Sequence, residues 1–239
     1  RGIAVLMVTH RLAELQGRAN RMTILRDGRK VFGGSGGSLD EAAIVTHMVG
    51  RRPASPEAAL QPAVAAVTPE ASARAVLEID GLAGERLDGL RLALWPGEIV
   101  GIAGLAESGI GELPSVLSGA RAHRRGSITV DGRILPKRGD PRASIRAGLA
   151  VLPADRLRSG GIATLPVSDN ISLPDVDRYF LKPAREKAMV EDVIARFDVR
   201  PPRRETLFGR LSGGNQQKAL LGKWLHLGPK VLVLDDPTS

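Results

Sequence analysis

Several features are scarce in this 239-residue sequence, and each scarcity excludes a class of protein. There is no cysteine, which excludes both a disulfide framework and a cysteine metal site. Residues 3–8 form an apolar run that is too short for a signal peptide. No run approaches the roughly 20 apolar residues that a membrane-spanning helix needs. We therefore expect any link to a membrane to be made through a partner protein.

Aromatic residues make up only 3% of the sequence, so the core must be built from Leu, Val, Ile and Ala. The formal net charge is +8, which by itself would favour a nucleic-acid partner. However, the basic residues form short, dispersed pairs, and there are few aromatic rings on which bases could stack. The charge therefore indicates an arginine-rich solvated surface, and no nucleic-acid partner is expected.

Apolar runs and turn residues predict an alternation of strands and helices. Strands are predicted at residues 3–8, 22–25, 76–79, 90–94, 99–103, 127–130, 148–152 and 231–234. Helices are predicted at residues 11–19, 39–50, 112–117, 184–197 and 213–224. Residues 53–75 contain four prolines among many alanines and show no periodic apolar face, which predicts a linker. The alternation predicts an α/β fold with a mainly parallel sheet.

The strongest functional signal lies in residues 211–218, with the sequence LSGGNQQK. A serine and two glycines at the start of a helix can present a hydroxyl and bare backbone N–H groups to phosphate. The segment resembles the signature motif of ABC transporter ATPases, in the form common among sugar importers. The resemblance implies that five residues contact nucleotide bound by the other cassette of a pair: Ser212, Gly213, Gly214, Asn215 and Gln216.

An apolar run at residues 231–234 ends in two acids, Asp235 and Asp236. A carboxylate at the end of a strand can hold Mg²⁺, often through water. The run resembles the Walker B strand of the same family, which implies that Asp235 is the metal residue. Asp236 stands where the family usually has Glu, and by resemblance it polarises the attacking water.

The segment that follows the strand at residues 99–103 departs from the family pattern. A phosphate loop needs glycines that cradle phosphate, then Lys, then Ser or Thr for Mg²⁺. When the motif is aligned from Gly104, its second glycine is Gly109, its lysine position holds Ile110 and its hydroxyl position holds Gly111. Glu107 adds a negative charge where phosphates would lie. By resemblance, Gly104, Gly109, Ile110 and Gly111 mark the nucleotide-binding loop. However, the residue types at these positions predict that the loop does not support hydrolysis.

Two more segments extend the resemblance. Residues 148–156 (GLAVLPADR) are similar to the Q-loop region, which faces the membrane subunits in the family, with Ala154 in place of the usual Glu. Residues 8–12 (VTHRL) resemble the switch-histidine region. The resemblance implies that His10 senses the γ-phosphate, a task that suits an imidazole near pH 7.

Together these resemblances imply an α/β P-loop NTPase of the ABC-cassette type, with a mainly parallel sheet, an antiparallel β subdomain and a helical subdomain. Residues 1–52 would be the C-terminal piece of a first cassette, residues 53–75 a linker, and residues 76–239 a second cassette that stops after Walker B. The N-terminal cassette piece would be incomplete, and we expect the sequence to be part of a longer protein.

The implied function is that of an ATP-hydrolysing subunit, with ATP and Mg²⁺ as cofactors, which energises import of a sugar or related small solute. Its partners would be membrane permease subunits, a solute-binding protein acting indirectly, and the other cassette within the full-length chain. It would lie peripherally on the cytoplasmic face of the membrane, and the fragment alone would be inactive. Two alternatives stay open: a tandem ABC ATPase that acts on ribosomes or DNA, and a remnant that does not hydrolyse ATP.

Overall fold

The computed structural model describes residues 2–9, 18–35, 39, 41–49, 74–175 and 183–237. The chain divides into two compact units, the first formed by Arg1–Val151 with Lys230–Ser239 and the second by Leu152–Pro229. Among the described residues, no helix is both long and apolar enough to cross a bilayer.

The strands of the described part are β1 (Ala4–Thr9), β2 (Arg21–Arg26), β3 (Arg29–Ser35), β4 (Leu77–Ala83), β5 (Leu90–Leu94), β6 (Ile99–Gly104), β7 (Arg125–Val130), β8 (Arg133–Ile134), β9 (Leu149–Leu152) and β10 (Val231–Asp235). Its α-helices are α1 (Glu41–Val49), α2 (Leu113–Leu117), α3 (Pro141–Ala147), α4 (Val167–Ser172), α5 (Pro183–Arg196) and α6 (Gly213–Leu225). The predicted helix at residues 11–19 lies mostly outside the described residues.

The larger sheet of the first unit has the strand order β3-β2-β6-β1-β10-β9. Strand β1 pairs in parallel with both β6 and β10, and β2 pairs in parallel with β6. Strand β3 runs the other way, as the second strand of a hairpin with β2. The central strands are apolar throughout because both faces of a parallel sheet are covered.

A second sheet in the same unit is antiparallel, with the order β5-β4-β7-β8. Its strands alternate as a half-buried sheet requires: Leu77 and Ile79 are buried, whereas Glu78 and Asp80 are exposed. Apolar residues of both sheets meet in one continuous core.

The second unit contains α4, α5 and α6. Helix α5 begins and ends within one residue of its predicted bounds and buries Val190, Val193 and Ile194 on one face. Helix α6 is preceded by Ser212 in the N-cap position.

The mainly parallel sheet, the antiparallel sheet and the helical unit confirm the predicted fold class. The described residues before residue 50 belong to the same compact unit as residues 74–151 and 230–237. The division into a first-cassette piece, a linker and a second cassette stays a prediction, because residues 50–73 lie outside the described part.

Candidate functional site

The two candidate acids lie at the carboxyl edge of the larger sheet. Asp235 ends β10 opposite Val8 of β1, and Asp236 follows it with a left-handed backbone (φ 46°). The backbone N–H of Asp236 donates to the carbonyl of Val8 at 2.9 Å, and the hydroxyl of Thr9 donates to the Asp236 carboxylate at 3.3 Å. Both acids are half-buried, so solvent reaches them. The pair suits an ion held partly through water.

His10 follows Thr9 directly but lies outside the described residues, so its role stays a prediction. No cluster of three or more His, Cys, Asp or Glu side chains in the described part could enclose a metal ion by itself.

The loop at residues 104–109 is closed on itself. The Ser108 hydroxyl donates to the carbonyl of Leu105 at 2.6 Å, and the Ser108 N–H donates to the same carbonyl at 2.9 Å. A Cβ atom on Gly104 would lie 2.5 Å from the Ser108 oxygen, so this side chain fills the space inside the loop. The backbone N–H of Glu112 is likewise used, by the carbonyl of Gly109 at 3.0 Å. These N–H groups therefore do not point into a phosphate cradle.

The side chain at the lysine position of the loop, Ile110, points into the protein core. Ile110 is 6% exposed and belongs to the main apolar core together with Leu87 and Leu113. Gly111, at the hydroxyl position, is exposed, and a Cβ atom there would meet nothing within 4 Å.

Glu112 is a structural residue of the loop that the sequence did not single out. Its buried carboxylate accepts hydrogen bonds from the backbone N–H of Glu85 at 2.9 Å and of Arg86 at 2.5 Å. Gly109 adopts a left-handed conformation (φ 78°) and packs so closely on this segment that a Cβ would lie 2.7 Å from the Leu87 nitrogen. The loop is thus tied down as a structural junction.

The contacts within the loop at residues 104–112 show whether Mg²⁺-ATP could fit there. The cation is replaced by a buried isoleucine, the metal hydroxyl is missing, Ser108 fills the loop, and Glu107 is exposed at its rim. Helix α2 behind the loop has only five residues, so it offers little positive potential. The loop does not fit the phosphates of a nucleotide.

The signature segment, in the second unit, has the opposite character. Ser212, Gly213 and Gly214 are exposed at the start of α6, a helix of 13 residues. A Cβ on Gly214 would meet nothing within 4 Å, and one on Gly213 would meet only the Arg156 guanidinium, 3.6 Å away. The free end of the helix, with its partial positive charge and bare backbone, is suited to an anionic phosphate chain.

Asn215 fixes the shape of this segment. Its side-chain nitrogen donates to the Ser212 hydroxyl at 2.9 Å, and its oxygen accepts from the Arg200 N–H at 2.7 Å. Ser212 occupies the N-cap position, but its hydroxyl makes no capping bond to the helix backbone. It is instead oriented by Asn215 and remains exposed.

Gln216 is placed differently from the other signature residues. Its side chain is buried, and its amide nitrogen donates to the carbonyls of Leu211 at 3.1 Å and Phe208 at 3.4 Å. The resemblance grouped Gln216 with the nucleotide-contacting residues, and that role stays a prediction; the structure shows its side chain turned inward, where it positions its neighbours. Its two hydrogen bonds fix the segment before α6 from the buried side.

Replacing Gln216 with Ala is expected to lower the free energy of unfolding by about 1–3 kcal/mol, because two inward carbonyls lose a donor. Urea denaturation measures the change. The matched control is Gln217→Ala, since Gln217 is only half-buried and accepts a 3.3 Å bond from the Arg156 side chain. A loss for the control as large as that for Gln216→Ala would contradict the positioning role.

Lys223 is a second residue that the sequence did not flag. It lies on the same buried stripe of α6 as Gln216, Ala219 and Leu220, and its ammonium donates to the carbonyl of Gly160 at 3.0 Å. The stripe's helical spacing was the signal that could have revealed it. Burial lowers the pKa of Lys223 to about 8, because the charged form is desolvated.

This pKa predicts a pH-dependent stability. Lys223 titrates near 10.5 in the unfolded chain and near 8 in the folded one, so between these values the unfolded chain binds more protons and stability rises with pH. The full gain is on the order of 3 kcal/mol, and it is absent below pH 8. Thermal unfolding of the wild type and Lys223→Met from pH 7 to 10 isolates the effect. Parallel pH profiles of the two proteins would contradict it.

The Q-loop segment is anchored to the same helix within the second unit. Asp155 accepts hydrogen bonds from the N–H groups of Leu157 at 3.2 Å and Arg158 at 2.9 Å, which starts a single wide helical turn at Arg156–Gly160. The Arg156 guanidinium donates to the Gln217 side chain at 3.3 Å. The loop and the helix that begins with the signature segment are therefore linked directly.

The fold and these segments agree with the comparisons with known proteins. The family model for ABC transporters matches residues 87–239, and the chain belongs to this family. A dimeric ATP-binding cassette solved in a post-hydrolysis state with ADP and Pi has the same fold, with a TM-score of 0.57 and 18% identity over 68% of this chain and 74% of that one.

Curated relatives match over nearly the whole chain. The ribose import ATP-binding protein RbsA 2 of Burkholderia ambifaria is 39% identical over 99% of this chain and 47% of its own length. The xylose import ATP-binding protein XylG of Pseudomonas savastanoi is 35% identical over 100% of this chain and 47% of its own length. The chain thus spans about half the length of the curated relatives it matches.

Proposed function

We propose that this chain is part of the ATP-hydrolysing subunit of an ABC importer for a sugar or a related small solute. The observation that carries the proposal is the exposed start of α6, where Ser212, Gly213 and Gly214 are accessible and Asn215 orients the serine. If another cassette holds a nucleotide, the start of α6 would contact its phosphate chain and so complete the binding site. The import proteins for ribose and xylose among the relatives support the transport role over an action on ribosomes or DNA.

The two nucleotide segments support an unequal division of labour. The signature segment is open to a ligand, whereas the loop at residues 104–112 is filled and tied down. Phosphoryl transfer depends on positioning and charge neutralisation, so a loop without its cation and metal hydroxyl contributes little. We propose that hydrolysis uses an intact phosphate loop on another cassette, with Mg²⁺ and ATP bound there.

At the acidic edge of the sheet, Asp235 would help to hold Mg²⁺ and Asp236 would orient water, with His10 nearby in the sequence. The Thr9 hydroxyl restrains the Asp236 carboxylate at 3.3 Å. Asp236 is one methylene shorter than glutamate, so it reaches less far toward a nucleotide. This edge therefore supports at most a weak site.

The proposed partners are permease subunits, with a solute-binding protein acting indirectly and the chain lying peripherally on the cytoplasmic face of the membrane. The second unit exposes large apolar side chains near the Q-loop segment, namely Leu157, Ile162 and Leu173. Asn170 ties the loop of Ile162 to α4, just before Leu173. Exposed large apolar side chains of this kind are consistent with a protein interface.

The proposal is tested by mixing the chain with a separate ABC cassette that has an intact phosphate loop and a disabled signature. We expect Mg²⁺-dependent ATP hydrolysis by the mixture and none by the chain alone. Gly214→Glu places a carboxylate where phosphate would bind and should lower the rate about 10²–10³-fold. Open space around Gly214 lets the variant fold.

The matched control is Gly111→Glu, the same change at a glycine that also has open space around it. It should leave the rate of the mixture unchanged, because its loop takes no part. A rate abolished by Gly111→Glu and unaffected by Gly214→Glu would reverse the assignment of the two segments.

A further inference from the structure

Helix α5 ends in a turn that is fixed by its own backbone. The N–H of Asp198 donates to the carbonyl of Ala195 at 3.2 Å, and the N–H of Val199 donates to the carbonyl of Ile194 at 3.0 Å. Asp198 has the left-handed conformation (φ 50°) that this kind of helix ending requires, at a position where glycine is usual. Because Val199 is buried, the backbone N–H of the next residue, Arg200, leaves the turn in a set direction.

Two cations hold the Asp198 side chain in this turn. Its carboxylate accepts from the Arg200 guanidinium at 2.8 Å and from the Lys218 ammonium at 3.4 Å, and the same ammonium donates to the Asp198 carbonyl at 3.0 Å. The hydrogen bond from Arg200, together with that from Lys218, holds the pKa of Asp198 below its ordinary value. These contacts stabilise a backbone conformation that is otherwise unfavourable for aspartate. Lys218 lies on α6, so it also ties the turn to that helix.

The turn decides which way round the Asn215 amide lies. The Arg200 N–H is 2.7 Å from the Asn215 oxygen, and because a backbone N–H can only donate, it selects the oxygen and excludes the nitrogen. The amide nitrogen is thereby directed to the Ser212 hydroxyl, 2.9 Å away. This nitrogen also only donates, so the Ser212 oxygen accepts and its own proton is left for another acceptor. Among the described residues, no acceptor takes that proton.

The end of α5 thereby controls the contact that Ser212 offers to a ligand. The oxygens of an ionised phosphate chain accept hydrogen bonds and donate none, so a hydroxyl fixed as a donor matches them. From these contacts we infer that the turn at Asp198 is a positioning device: through the Arg200 N–H and Asn215 it fixes the Ser212 hydroxyl as a donor to phosphate. The inference rests on the proposed function, in which the start of α6 meets a nucleotide held by another cassette. It adds that this contact depends on the turn after α5.

The turn is tested by a change that opposes its left-handed backbone. Asp198→Val places a β-branched residue at φ 50°, which is unfavourable, so the Arg200 N–H should move away from Asn215. In the mixture with a separate cassette that has an intact phosphate loop, we expect the rate of Mg²⁺-dependent ATP hydrolysis to fall about tenfold. Asp198→Gly also removes the carboxylate but adopts the conformation freely, so it should restore most of the rate.

The matched control is Asp131→Val, in the hairpin between β7 and β8 of the first unit. Asp131 is also left-handed (φ 45°), so this variant introduces the same backbone strain at a position outside the second unit. It should destabilise the chain about as much as Asp198→Val does and leave the rate of the mixture unchanged. A rate lowered equally by the two variants would show that strain alone is responsible and would overturn the inference.

The polarity of the Asn215 contact is tested by Asn215→Asp, which keeps the size of the side chain. A carboxylate accepts from both neighbours, so the Ser212 proton would turn toward it and a phosphate would meet oxygen lone pairs. We expect the rate to fall about 10²-fold, as it does when an enzyme loses one donor to a developing anion. A rate equal to that of the wild type would contradict the assigned polarity.

Hydrogen exchange of the Arg200 N–H, followed by NMR in the chain alone without nucleotide, separates this inference from the proposed function. In Asn215→Leu that N–H loses its acceptor, so its exchange should be about tenfold faster than in the wild type. An unchanged exchange rate would overturn the inference even if the wild-type mixture hydrolyses ATP. Faster exchange, with a wild-type mixture that does not hydrolyse ATP, would support the control of Asn215 by the turn and count against the proposed function.

Discussion

Restoring the missing lysine of the phosphate loop, Ile110→Lys, is expected to lower the free energy of unfolding by about 3–5 kcal/mol without creating an ATP site. Ile110 is buried in the main core, so the new ammonium would lose water without gaining a partner. A comparison of motifs alone would instead predict that the restored lysine creates phosphate binding. Urea denaturation and calorimetric titration with Mg²⁺-ATP measure the two outcomes.

The matched change at the next position is Gly111→Thr, which restores the missing metal hydroxyl. Gly111 is exposed with open space around it, so this variant should keep its stability within about 0.5 kcal/mol. An Ile110→Lys protein that is as stable as the wild type and binds Mg²⁺-ATP would show that the loop opens as a normal phosphate loop does.

The second large effect is expected from Leu6→Asp, a change in β1, which lies between β6 and β10 in the larger sheet. Leu6 is fully buried, and a carboxylate at this position would have no ionic partner in the apolar core. The expected cost of several kcal/mol is comparable to the whole stability of a typical domain, about 5–15 kcal/mol. Hydrogen exchange should therefore show loss of protection in β6 and β10, which are remote from residue 6 in sequence.

An exposed position of the same N-terminal segment provides the control. Lys30→Asp likewise introduces an aspartate, but on β3, where the side chain is exposed, and should shift stability by no more than about 0.5 kcal/mol. Unchanged protection of β6 in Leu6→Asp would mean that the N-terminal strands are not part of this sheet in solution.

Local patterns were sufficient to predict most elements of the fold. The apolar runs that became β1, β6 and β10 are unmistakable because strands buried on both faces carry few polar residues. The insertion of β1 between β6 and β10 could not be predicted in this way. It depends on contacts between residues far apart in sequence, such as Asn20 with Ile99.

The candidate site was predictable to a similar extent. The sequence shows that the loop lacks a lysine and a metal hydroxyl, but it cannot show that Ser108 fills the loop or that Glu112 turns inward. Gln216 and Lys223 were hidden by their polar side chains, although both lie on the apolar stripe of α6. Buried polar residues of this kind are recognised from the groups that satisfy them, which only the folded chain displays.

The most direct test of the account is calorimetric titration of the chain alone with Mg²⁺-ATP. We expect no saturable binding tighter than about 1 mM, because the loop at residues 104–112 is filled and the signature segment needs another cassette to hold the nucleotide. Micromolar binding that is lost on Asp235→Asn would contradict it, since the chain would then form a working nucleotide site of its own.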